Sequence, residues 1–146
     1  MSNVRQLNDI EFLNLPKSKE ICMNLSAARV FVRNMDAAKQ FYAEKLGLAV
    51  KDDGSPHGYC VFVGGETDLV VEVVGGDAPQ EEQALVGRFT GLSFAVADVH
   101  AKHSELSAAG VQFSGHPEKQ FWGGLLATFS DPSGNELQIV QHPAVA

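Results

Sequence analysis

An internal repetition constrains this chain more than any other feature, because a repeated unit that cannot bury its apolar face alone must pack on its copy. In the first copy, Ala28-Arg-Val-Phe-Val-Arg-Asn alternates like a half-buried strand. Met35 to Gly47 follows as an amphipathic helix, with Ala38, Phe41, Tyr42 and Leu46 at helical spacing and glycine at its stop. Three short strands are expected near Leu48–Lys51, Tyr59–Val63 and Leu69–Val74. They are punctuated by Asp52-Asp-Gly-Ser-Pro and Gly64-Gly-Glu-Thr-Asp. The pattern restarts about 64 residues later with the strand Leu92-Ser-Phe-Ala-Val-Ala. Asp98 is a suitable N-cap for a helix from Val99 to Ala109, and Gly110 ends it. Strands at Val111–Ser114, Leu125–Ser130 and Glu136–Gln141 complete the copy. Asp131-Pro-Ser-Gly-Asn supplies the tight turn between the last two.

Each copy is thus a strand, a helix and three strands, a βαβββ module. The expected architecture is α+β, with two tandem modules packing to enclose a cleft. Residues 25–142 form one domain made of modules 25–75 and 90–142, joined by an acidic link, Gly75 to Gly87, that is partly helical. Residues 1–24 read as a polar leader, either a short helix with Leu7, Ile10, Phe12, Leu13 and Leu15 on one face and Pro16 as its end, or a disordered segment. At 146 residues and 45% hydrophobic content, the chain has enough material for one core.

Period-two alternation separates the strand faces. Leu137 and Ile139 point to the core, leaving Glu136 and Gln138 on the other side. Leu69, Val71 and Val73 likewise leave Val70 and Glu72, and Val30 and Val32 leave Arg29 and Phe31. The same logic aims Cys60, Phe62, Leu126 and Thr128 at the cleft. Arg29, Phe31, Phe62, Val70, Glu72, Leu126, Glu136 and Gln138 therefore form the expected ligand-binding lining, apolar walls with a few polar groups. Trp122, between Gln120-Phe121 and Gly123-Gly124, lies in a loop over this site, as a stacking surface for a ligand or as a buried anchor. Arg29 either pairs with Glu72 or binds an anionic ligand.

Other motifs say less. His100 and His103 are neighbours on a helix surface, and solvated histidines are the plain reading. His57 and His116 sit in loops beside proline, where a general base is conceivable but no partner is readable. Cys60 reads as a packed thiol. Neither Cys22 nor Cys60 belongs to a CxxC pair, so the spacing supports neither a zinc ribbon nor a thioredoxin motif. A net charge of -7, from Lys+Arg 11 against Asp+Glu 18, argues against nucleic acid, whose phosphates need a basic patch. No apolar run of membrane-spanning length occurs. The expected setting is cytoplasmic, away from membranes.

Val30-Phe-Val-Arg-Asn-Met-Asp, Phe41-Tyr, Leu46-Gly-Leu and Phe129-Ser-Asp-Pro-Ser-Gly-Asn-Glu-Leu-Gln-Ile-Val resemble the vicinal-oxygen-chelate superfamily of glyoxalases, bleomycin-resistance proteins and extradiol dioxygenases. Leu92-Ser-Phe-Ala-Val-Ala-Asp-Val, followed by a helix ending Ala108-Ala-Gly-Val, adds to the resemblance. It spans about Ala27 to Gln141. Metal-using members take ligands from the first and last strand of each module, and motif matching puts those positions at Ala27, Glu72, Gly91 and Gln138. Two of the four have no side-chain donor, so the resemblance implies a small-molecule binding protein with a degraded metal site. No metal ligand, cofactor or catalytic residue is assigned. Antibiotic-binding members hold a bulky, often cationic drug in a metal-free groove, usually as homodimers, and a resistance-like sequestration role is the concrete form of this expectation. The alternative is a metal-dependent lyase, isomerase or dioxygenase acting on a vicinal-oxygen substrate.

Overall fold

The computed structural model describes residues 22–145, so most of the expected leader lies outside the described residues. The first module runs β1 (Ala27–Val32), α1 (Met35–Lys39), β2 (Val50–Gly54), β3 (Tyr59–Gly64) and β4 (Thr67–Val73). A short helix, α2 (Gln80–Gln83), interrupts the link. The second module runs β5 (Phe89–Ala95), α3 (Val99–Ala108), β6 (Gln112–Phe113), β7 (Glu118–Lys119), β8 (Leu125–Ser130) and β9 (Glu136–Gln141). The first sheet has the order β1-β4-β3-β2 and the second β5-β9-β8-β6, with β7 added on β8. In each, the first strand pairs in parallel with the last, and hairpins supply the antiparallel pairs. The α+β expectation of two tandem modules holds. Among the described residues no helix is long and apolar enough to cross a membrane.

Local chemistry accounts for the helices. Asn34 caps α1 by accepting from the Ala37 amide, and Asp98 caps α3 by accepting from His100 and Ala101. The first helix was expected to run unbroken to Gly47. Instead α1 passes at Gln40–Lys45 into a wider π-helical turn, closed by the Leu46 amide donating to the Phe41 carbonyl. Consecutive aromatic residues, Phe41 and Tyr42, are both buried on this turn. Because Leu48 still donates back to Tyr42, the next strand starts at Val50, later than expected.

One core joins the two modules. Tyr42 packs on Phe62 of the first sheet at 5.7 Å between ring centroids, while Phe41 packs on Phe129 of the second at 6.1 Å. Val30, Val71, Cys60, Leu106, Leu137 and Ile139 belong to the same buried cluster. Each fully buried aliphatic or aromatic side chain contributes roughly 1.5–3 kcal/mol. The helices lie on these core faces, so the opposite face of each sheet is free of helices.

A polar clasp reinforces the seam. The buried Tyr42 hydroxyl donates to Asp131 Oδ2 at 2.8 Å. Asn135, 1% exposed, donates through Nδ2 to the Phe31 carbonyl at 2.7 Å and accepts from the Gly87 amide at 2.8 Å. Asp131 Oδ1 accepts from the amides of Ser133 and Asn135, which folds the turn. Burial and the neighbouring Asp131 carboxylate push the Tyr42 hydroxyl far above its usual pKa.

Candidate functional site

Strand register decides which side chains share the helix-free faces. On the first sheet, Arg29 stands beside Val70, which stands beside Val61; the next row is Phe31, Glu72 and Tyr59. The Arg29 guanidinium grips Glu72 with two bonds, Nε to Oε2 at 2.7 Å and Nη2 to Oε1 at 3.0 Å. It also lies over the Phe31 ring, 5.4 Å from the centroid. The pair sits at the surface, with side chains 59% and 28% exposed. Glu72 thus engages both oxygens with Arg29, and a second cation would have to share the carboxylate with that guanidinium.

On the second sheet, Gln138 stands between Ser93 and Thr128, and Val140 between Ala95 and Leu126. Gln138 Nε2 donates to Thr128 Oγ1 at 3.0 Å, which leaves its amide oxygen available. Beside them lies a pocket of about 300 Å³ lined by Ser114, His116, Glu118, Leu126, Thr128 and Gln138, among others. His103 props its outer wall: its ring lies 4.3 Å from Phe113 and 5.6 Å from His116, and its Nε2 meets the Gly115 carbonyl at 3.1 Å. His103 is thus a loop support rather than a solvated helix residue.

Two expectations need correction. Phe62 and Cys60 pair with Leu69 and Val71 and are fully buried against α1, so they face the core and not the ligand surface. Tyr59 and Val61 take the open positions of β3. The run Tyr59-Cys-Val-Phe-Val has no polar residue to mark its outer face, so alternation alone could not choose between the faces. Trp122, 40% exposed, packs over Gly124 and lies 6.1 Å from the His142 ring. Glu136 sits one row along from Gln138, paired with Ser130 and Phe89. The expected residues thus form two groups: Arg29, Phe31, Val70 and Glu72 on the first sheet, and Leu126, Gln138 and Glu136 on the second. Ser114, Glu118 and Gln120 were not anticipated as lining, because β7 has only two residues and no apolar alternation.

The positions matched to family metal ligands do not form a donor set. Ala27 and Gly91 carry no donor. Ala27 stands opposite Asp68, whereas Glu72 stands opposite Phe31, four residues further on. At a rise of about 3.3 Å per residue, that is roughly 13 Å away. Asp68 is itself paired with Lys51 at 2.9 Å. Gly91 adopts φ +76 where the β5–β9 register shifts, a conformation that disfavours any side chain there. Among the described residues no group of three or more His, Cys, Asp or Glu side chains is arranged to hold a metal ion. The residues present do not fit the metal that the family fold often carries.

Fold and motifs together define a two-module α+β protein of the vicinal-oxygen-chelate kind. Residues 24–139 match the family model of the Glyoxalase/Bleomycin resistance protein/Dioxygenase superfamily, and the chain belongs to that superfamily. It is 33% identical over 129 residues to the uncharacterized protein YurT of Bacillus subtilis (strain 168), covering 82% of this chain and 99% of YurT. Among solved structures it is similar to TnmS3, an antibiotic binding protein from Streptomyces sp. CB03234, with TM-score 0.66 and 30% identity. That match covers 84% of this chain and 97% of TnmS3. Lactoylglutathione lyase from Agrobacterium tumefaciens shares the fold at TM-score 0.66 and 19% identity, covering 81% and 92% of the two chains.

Proposed function

We propose that this chain binds a small organic molecule directly, without a metal, in a resistance-like sequestration role. One observation carries the reading: of the four family ligand positions, two have no donor and the single carboxylate, Glu72, is held by Arg29 in a two-bond pair. A site of this kind offers apolar surface, a guanidinium and an amide, which suits recognition better than Lewis-acid activation. Similarity to an antibiotic binding protein at 30% identity supports the same reading. The binding unit in this proposal is a cytoplasmic homodimer, in which the Arg29 face of one copy lies across a groove from the Gln138 face of its partner. Support comes from the two separate groups within one chain and from exposed apolar side chains at strand ends, Leu25 before β1, Val63 near the end of β3 and Phe89 at the start of β5.

Thermal unfolding in the presence of small aromatic compounds, with and without EDTA, tests the proposal. A ligand at 100 times its Kd should add about 2.7 kcal/mol of stability. Saturable stabilisation that the chelator leaves unchanged, with the compound recovered intact, is expected. Stabilisation that depends on an added divalent cation, or chemical conversion of the compound, contradicts it.

A further inference from the structure

The first sheet's helix-free face carries an arrangement with more chemical content than an ion pair. Glu72 takes two of the five N–H donors of the Arg29 guanidinium, and no other described residue takes the remaining three. Two bonds to one carboxylate fix the plane of the fork, and the Phe31 ring supports it from one side. A side chain 59% exposed yet held in one geometry loses little further freedom when it meets an acceptor. Val61 and Val70 continue the surface as apolar floor in the adjoining row.

We infer that this face recognises a small aromatic monoanion, a flat ring bearing a carboxylate-like or sulfonate-like group, with Arg29 as the residue that sets specificity. This inference rests on the small-molecule reading above and names the ligand class. The ring lies along Phe31, Val61 and Val70, and the anionic oxygens accept from the unfilled Arg29 donors. Glu72 fixes the fork; the pair is net neutral, so the selection comes from the three remaining N–H donors, which only an acceptor can satisfy. The net charge of -7 opposes anions in general and polyanions most strongly, so the recognition is local to Arg29 and limited to monoanions.

Two dyes that differ by one sulfonate provide the test. Fluorescence titrations compare 1-anilinonaphthalene-8-sulfonate with neutral N-phenyl-1-naphthylamine, and thioflavin T serves as a cationic aromatic. The sulfonate dye should bind saturably, at least tenfold more tightly than the neutral one, with thioflavin T weakest. Arg29→Gln should remove the sulfonate advantage while leaving the neutral dye bound, and Arg29→Lys should restore part of it. Circular dichroism and thermal unfolding establish that each variant is folded. Equal binding of the neutral and sulfonate dyes, or a sulfonate advantage that survives Arg29→Gln, overturns the inference and leaves direct small-molecule binding intact. Tightest binding of thioflavin T also overturns it. Failure of all three dyes to bind saturably contradicts the small-molecule reading itself.

Discussion

The two modules share a strand plan but use their last hairpins for different ends. In the first, the turn Gly64-Gly-Glu between β3 and β4 is exposed, and it does little beyond reversing the chain. In the second, Asp131-Pro-Ser-Gly-Asn between β8 and β9 is the seam of the molecule, bonded to Tyr42, Phe31 and Gly87. The helix-free faces diverge as well. The first presents a neutralised ion pair over aromatic and aliphatic surface, and the second presents Ser93, Thr128, Gln138 and a polar pocket. Duplicated topology therefore preserves the core and leaves each turn and open face free to specialise. The first face offers apolar surface and the remaining guanidinium N–H donors, and the second offers amide and hydroxyl groups.

Perturbing the shared core should erase the difference between modules. Phe62→Ala and Phe129→Ala should each lose about 3–5 kcal/mol in urea unfolding, because each truncates a buried ring facing the same helix. A small stability loss for Phe62→Ala together with a large binding loss would return that residue to the ligand face. Perturbing the turns should then separate the modules. Asn135→Ala removes the side chain that ties the part-buried Gly87 amide and Phe31 carbonyl to the Asp131 turn and should cost roughly 1–3 kcal/mol. Glu66→Ala in the exposed turn should stay within about 0.5 kcal/mol, and similar losses at both turns would break the comparison.

The smallest expected effect is acid-specific to the first module. Lys39 and Ser55 hold the Asp53 carboxyl down to about 2 through hydrogen bonds. A depressed carboxylate adds stability that is fully present above its unfolded pKa of about 3.9 and is lost as pH falls through its folded value. Asp53→Asn should therefore cost a small, solvent-screened amount of stability near neutrality, and that difference from the parent should vanish as pH falls from the unfolded value through about 2. An unchanged acid limb in denaturation at graded pH would remove Asp53 from the account.

Most of the fold was legible because several elements declare themselves. The alternation in Glu136-Leu-Gln-Ile and the Asp98 cap placed β9 and α3, and β8 and β9 appear with the expected bounds. The site was less legible. In β3 every position from Cys60 to Val63 is apolar, so its facing depends on pairing across the Gly64–Thr67 turn, a non-local fact. Matching Glu72 to a family position kept the correct face parity but hid its distance along the strand from Ala27. Only the backbone reveals that Gly91 occupies a register shift with positive φ. β7 exists because Glu118 and Lys119 find β8 beside them, and nothing in their own chemistry announces a strand.

If the protein recognises its ligand without a metal, its metal content should show it. Protein purified without chelator or affinity tag can be assayed by elemental analysis against protein concentration. Far less than one divalent metal ion per chain is expected. Near-stoichiometric zinc, iron, manganese or nickel would contradict it and would favour metal-dependent chemistry on a vicinal-oxygen substrate.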